Sequence, residues 1–154
     1  MGNRAVIAFT ENGKKNKNSA GIYLHWNGGR DSVEGFLQTA KDYGIRSGSY
    51  GLARLTQIIC NSFPGTLSVG VATLDKLDCD NYDNGVYWVD NNFDIVAREY
   101  LPKRPTWSEQ QQYPLDEFVK GVKEDNDFVF NKDPYKKLKG ADGTINWKRS
   151  KSWV

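Results

Sequence analysis

Residues 31–44 read DSVEGFLQTAKDYG, and the spacing of their apolar positions decides the fold class. Val33, Phe36, Leu37, Ala40 and Tyr43 recur at the intervals of one helical face. Asp31 stands where an N-cap belongs, Glu34 follows at the capping-box interval, and Gly44 is a suitable stop. A second helical face, Leu52, Leu55, Ile58 and Ile59, lies in YGLARLTQIICNS at 50–62, ahead of Pro64-Gly65. Two consecutive amphipathic helices need an apolar surface to cover.

The flanking segments supply one. RAVIAF at 4–9 and GIYLHW at 21–26 are strand-like, and the polar TENGKKNKNS between them makes a hairpin with a long mobile loop. LSVGVATL at 67–74, GVYWVD at 85–90 and FDIVAREYL at 93–101 are three further strands. Asp90-Asn91-Asn92 between the last two is hairpin chemistry, because Asn tolerates positive φ. PKRPTWSEQQQY is a loop, and PLDEFVKGVKED, opening with Pro114, predicts a short third helix. The order ββααβββα implies an α+β domain over 1–130: an antiparallel sheet of about five strands with two main helices on one face. Residues 131–154 form a basic, partly irregular extension.

The 154 residues suit one core-bearing domain, with 38% hydrophobic and 26% charged residues, as in a soluble protein. No membrane span or secretory signal is read, and the expected location is the cytoplasm. Cys60 and Cys79 lack CxxC spacing and have only His25 for company, so reduced thiols are expected and neither zinc nor any other metal. Residues 131–154 hold seven Lys/Arg and two Asp (+5), leaving 14 basic and 17 acidic residues (−3) before them. Such a basic end can attract nucleic acid or an acidic protein, but a short one is more often a solvated tail, so nucleic acid is not the expected partner. Trp107, Trp147 and Trp153 lie near it and are read as covering the sheet rather than binding.

GxSxG, HExxH, GxxxxGK[ST] and CxxC motifs are all missing, which gives catalysis little support. Two segments carry binding chemistry instead. In LHWNGGRD at 24–31, Gly28 and Gly29 precede a helix N-terminus, a standard anion cradle. Arg30 can make bidentate contact with phosphate, Trp26 offers a stacking face, and His25 and Asn27 add polar edges. The plain alternative is a strand-ending turn, and residue chemistry alone leaves the two open. In LDCDNYDNG at 77–85, an EF-hand register starting at Asp80 fails with Tyr82 at its third position and Asn91 at its twelfth. Asp80, Asn81, Asp83 and Asn84 suit base or ribose edges, with Tyr82 packing on a ring, unless the segment only connects strands. Arg54 is a third candidate, facing outward from the second helix with Gln57 and Asn61 near it.

MGNRAVI at 1–7, GIYLHWNGGRDSVEGFL at 21–37, YGLARLTQI at 50–58 and LDCDNYDNGVY at 77–87 together resemble a family of small phage and prophage inhibitors of the Thoeris antiphage system. The resemblance covers roughly residues 1–100, and the chain beyond 101 departs from it. It implies a host-defence inhibitor acting as a sponge, which binds a cyclic ADP-ribose isomer made by the host TIR enzyme without cleaving it. It further implies a compact α+β unit forming dimers or higher oligomers, with the ligand near subunit interfaces and no cofactor. The 25–31 and 78–85 segments would then form the pocket. The rival readings are a protein-binding inhibitor of a defence effector, of the anti-CRISPR type, and a nucleotide-processing enzyme.

Overall fold

A computed structural model of the chain describes residues 2–63, 67–103 and 114–130. The expected order ββααβββα is found: β1 Ala5–Phe9, β2 Ala20–Leu24, α1 Arg30–Asp42, α2 Gly48–Ser62, β3 Val69–Thr73, β4 Val86–Val89, β5 Ile95–Glu99 and α3 Leu115–Phe130. A 3-10 turn, Leu74–Lys76, follows β3. The five strands form one sheet in the order β3-β2-β1-β4-β5. Its neighbours pair antiparallel except at the centre, where β1 and β4 run parallel with Val6 opposite Val86 and Phe9 opposite Val89. The sheet is therefore mixed rather than antiparallel throughout. AVIAF and VYWV are buried at every position, so both read as continuous apolar runs and alternation carries no directional signal.

One face of the sheet carries all three helices. Val33, Phe36, Leu37 and Ala40 of α1 meet Leu55, Ile58 and Ile59 of α2 and Ile7, Ile22, Leu24 and Tyr87 of the sheet. Phe36 is fully buried and packs edge-on to Phe63 and Phe118, so truncation to Ala costs about 3–5 kcal/mol. α3 extends beyond the predicted 114–125 because it has specific partners: Tyr43 stacks on Phe130 and donates to Asp127 at 2.6 Å, and the buried Asn126 donates to the carbonyls of Ile58 and Val122. The opposite face is smaller. There Val6, Ala8, Val86 and Trp88 are roofed by Leu74, Leu77 and Cys79.

Three local expectations change. α1 is capped by Gly29, without a side-chain bond, so Asp31 is a buried first-turn residue whose carboxylate accepts from the Ser32 amide at 2.8 Å. Glu34 pairs with Arg30 at 2.9 Å instead of closing a capping box. In the β4–β5 turn, positive φ falls on the buried Phe93, held edge-on against Phe9, while Asp90 accepts from the Asn92 and Asp94 amides. Gly44 does end α1: its amide and that of Ile45 bond back to Lys41 and Ala40 in a Schellman arrangement. The 10–19 connector is pinned by Glu11, which accepts from Asn16 and Ser19. Cys60 and Cys79 are free thiols, and no described helix is long and apolar enough to cross a membrane. Trp107, Trp147, Trp153 and the basic 131–154 segment lie outside the described residues.

Candidate functional site

The 25–31 and 77–85 segments come together at one end of the sheet, although about fifty residues separate them in sequence. They do so by fastening onto the same short stretch, Gly2–Ala5, which enters β1 there. From the first segment, the His25 carbonyl accepts from the Asn3 amide at 2.9 Å and the Gly28 amide donates to the Asn3 carbonyl at 2.8 Å. From the second, Asn84 donates through its side chain to Asn3 Oδ1 at 2.6 Å and to the Arg4 carbonyl at 2.9 Å, and Asp83 accepts from both the Arg4 amide and its guanidinium. Tyr87 of β4 ties the first segment to the sheet by donating to the Gly28 carbonyl at 2.8 Å.

Several candidates prove to be the frame of this end. Gly28 is buried against β1, and a Cβ there would stand 2.6 Å from the Asn3 carbonyl oxygen and the Ala5 Cβ. Asn81 is fully buried: its Oδ1 accepts from the amides of Asp83, Asn84 and Gly85, and its Nδ2 donates to the carbonyls of Asp78 and Gly85. One side chain thus closes the turn from within. Gly85 lies at φ +62, where a Cβ would collide with the Glu99 carbonyl at 1.9 Å. Asn84 is also fully buried, and its carbonyl accepts from Arg98, whose guanidinium lies 3.7 Å over the Tyr87 ring.

Other candidates remain on the surface of the frame. Trp26 is 43% exposed and packs edge-on to His25, and Tyr82, at positive φ, is 79% exposed. Asn27 also has positive φ and turns the chain from β2 toward the buried Gly29 cap. Asp80 is exposed. Arg30 is exposed beside Glu34, so its charge is partly engaged. Arg54 bonds Gln57 on its own helix at 2.8 Å and has no contact tying it to either segment.

Sequence reasoning missed Arg4 and Tyr23. Arg4 sits 2.8 Å from Asp83 and 3.6 Å from Asp78, and the Asp83 hydrogen bond raises its pKa further. Burial alone would raise the Asp83 carboxyl, yet the Arg4 hydrogen bonds and charge leave it below its ordinary value. The Tyr23 hydroxyl lies 2.9 Å from His25 Nδ1, and burial, with the Asp78 charge, pushes the phenol up. Nothing in a lone Arg or Tyr within a strand entry signals such a cluster, because its members are distant in sequence. Chemically, these groups neutralise one another, and they bracket a polar surface with two outward aromatic rings.

A groove of about 710 Å³ lies elsewhere, between α1 and α3, lined by residues including Gln38, Asp42, Val119, Lys123 and Asp127. Its carboxylates (Asp42, Asp116, Glu124, Asp127) outnumber its two lysines, which disfavours a phosphate there. Among the described residues no three His, Cys, Asp or Glu side chains are grouped to hold a metal ion. Comparison with protein-family models, curated proteins and solved structures finds no match.

Proposed function

We propose that the protein sequesters a small cyclic nucleotide, of the cyclic ADP-ribose-isomer class, at the end of the sheet formed by residues 25–31 and 78–85. The observation that supports this reading is the joint anchoring of both segments on Asn3 and Arg4, each leaving one exposed aromatic ring on a fixed backbone. Rigid backbone beneath exposed Trp26 and Tyr82 lowers the ordering cost of stacking a base. Asp80 repels phosphate but accepts well from ribose hydroxyls, so the diphosphate belongs on the Arg30 side. Asp31 turns its carboxylate into the α1 N-terminus, which weakens an amide-only cradle and places more of the demand on Arg30. The pairing of Arg4 with Asp83 and of Tyr23 with His25 suits holding over turnover, since these groups serve each other. In a phage-infected bacterium, tight non-destructive binding of this kind would blunt a nucleotide-signalled defence.

Calorimetry with a cyclic ADP-ribose isomer, followed by heat release of the ligand, tests the proposal. Saturable binding with intact ligand recovered supports it. Altered ligand makes the protein an enzyme, and absence of binding removes both small-molecule readings.

A further inference from the structure

The groove between α1 and α3 is walled on one side by a strongly acidic helix. Residues 115–130 hold five Asp or Glu and two Lys (−3), which equals the whole charge excess of residues 1–130. Within the groove Lys123 is committed to Asp42 at 2.7 Å, whereas Asp116 and Glu124 are exposed and enter no ion pair among the described residues. The acidic placement also works against the helix itself. Glu124, Asp125 and Asp127 lie in the last two turns of α3, where the backbone dipole is negative, and the last turn carries no basic residue. A cation brought to this end from outside the helix is favoured by the carboxylates and by the dipole together. Leu115 and the buried Val119 add an apolar strip between the charges.

The cations nearest in sequence follow at once. Residues 131–154, outside the described residues, carry seven Lys/Arg against two Asp and begin where α3 ends, four residues past Asp127. From Asp127 back to Asp116 the helix rises about 17 Å, a length that about five extended residues span. The sequence YKKLK at 135–139 has that length, with three lysines and two apolar side chains, and NKDP at 131–134 is long enough to reverse direction. We infer that the groove is the docking site for residues 135–139 of the same chain, laid back along α3 with Lys136, Lys137 and Lys139 against the carboxylates of Asp116, Glu124 and Asp127. A tether of four residues sets an effective concentration on the order of mM, so individually weak, salt-screened pairs suffice. Docked in this way, the lysines are matched within the chain and are not offered to nucleic acid. The inference stands apart from nucleotide binding and uses no residue of the 25–31 or 78–85 segments.

Amide chemical shifts of the full chain, measured by NMR at low ionic strength, test it. In the wild type the 135–139 amides differ from those of a separate 131–154 peptide, and they move to the peptide positions at about 1 M salt, where the Debye length is about 3 Å. Asp116→Lys/Glu124→Lys produces the same movement without salt. Glu117→Lys/Asp125→Lys reverses two charges on the same helix at residues that do not line the groove, and leaves the 135–139 amides in place. In turn, Lys136→Glu/Lys137→Glu/Lys139→Glu shifts the Val119, Lys120 and Lys123 amides, and combining it with Asp116→Lys/Glu124→Lys returns them toward the wild type. Wild-type 135–139 shifts identical to those of the peptide overturn the inference. So do equal effects of the groove variant and its control, or shifts that vanish on dilution, which would put another molecule's segment in the groove.

Discussion

Replacing Asn81 by Ala removes the side chain that closes the 77–85 turn, and the structure sets the scale of the loss. Two of its bonds, to the Asp78 carbonyl and the Asp83 amide, end at residues water can reach. The other three reach the Asn84 amide at 3.1 Å and the Gly85 amide and carbonyl at 3.0 and 3.3 Å, all within buried residues. At about 1 kcal/mol per buried bond lost, Asn81→Ala costs about 3 kcal/mol. For a domain of this size that lowers the Tm by roughly 6–12 °C. Urea unfolding followed by circular dichroism measures it, with the m-value checked for constancy. A loss under about 1 kcal/mol at constant m would refute the account, since water would then be replacing the side chain freely. Asn81→Asp sharpens the test. It keeps the acceptor but aims a second oxygen at two carbonyls, so it should be at least as damaging near neutrality and recover partly in acid, where a protonated carboxyl can donate.

Further outcomes follow from neighbouring residues. Arg30→Ala should weaken nucleotide binding by about 1.5–3 kcal/mol in calorimetry, while the exposed Arg30–Glu34 pair contributes only about 0.3–0.5 kcal/mol to the fold. Trp26→Ala and Tyr82→Ala should each cost about 1–3 kcal/mol of affinity, with thermal stability little changed; unaltered affinity in both would remove the stacking role. Gly85→Ala forces a Cβ onto the Glu99 carbonyl, so its expected result is loss of cooperative unfolding or failure to accumulate. The Asp83 carboxyl has a folded pKa below its unfolded value of about 3.9, so its stabilising effect is complete above that pH and fades as pH falls through the lowered value. Asp83→Asn should flatten that part of the acid unfolding curve, measured against wild type at matched ionic strength.

The helical interior was legible in the sequence because it obeys a single period: Val33, Phe36, Leu37 and Ala40 all reach the core, as do Leu55, Ile58 and Ile59. The β1–β2 and β4–β5 pairings were legible as hairpins, but the parallel β1–β4 contact was not, since fully buried strands lose the alternation that reports direction. Asp31 misleads because an acidic residue serves equally well inside the first turn as at the cap. At the candidate site, composition picked out two segments that the fold brings together on Asn3 and Arg4, yet could not separate frame from surface. Asn81 and Asn84 look like ligand-reading amides in sequence, and both are consumed by the backbone around them. Arg4 and Tyr23 carry no local motif and gain meaning only from where β1 begins and β2 ends.

The parallel contact at the centre of the sheet also imposes an order on assembly. β1 meets β2 across the 10–19 connector alone, but its other neighbour, β4, is synthesised only after both helices and β3. Closing so long a loop has an entropic cost that the early hairpin avoids. A nascent chain therefore carries one finished edge and one waiting edge, the latter along Val6, Ala8 and Thr10. Until VYWV arrives, that apolar edge is open to any extended strand nearby, and crowded or truncated chains have their aggregation risk there. The segment holding Asn3 and Arg4 is the start of that same strand, so the candidate binding surface is completed only once β4 has docked.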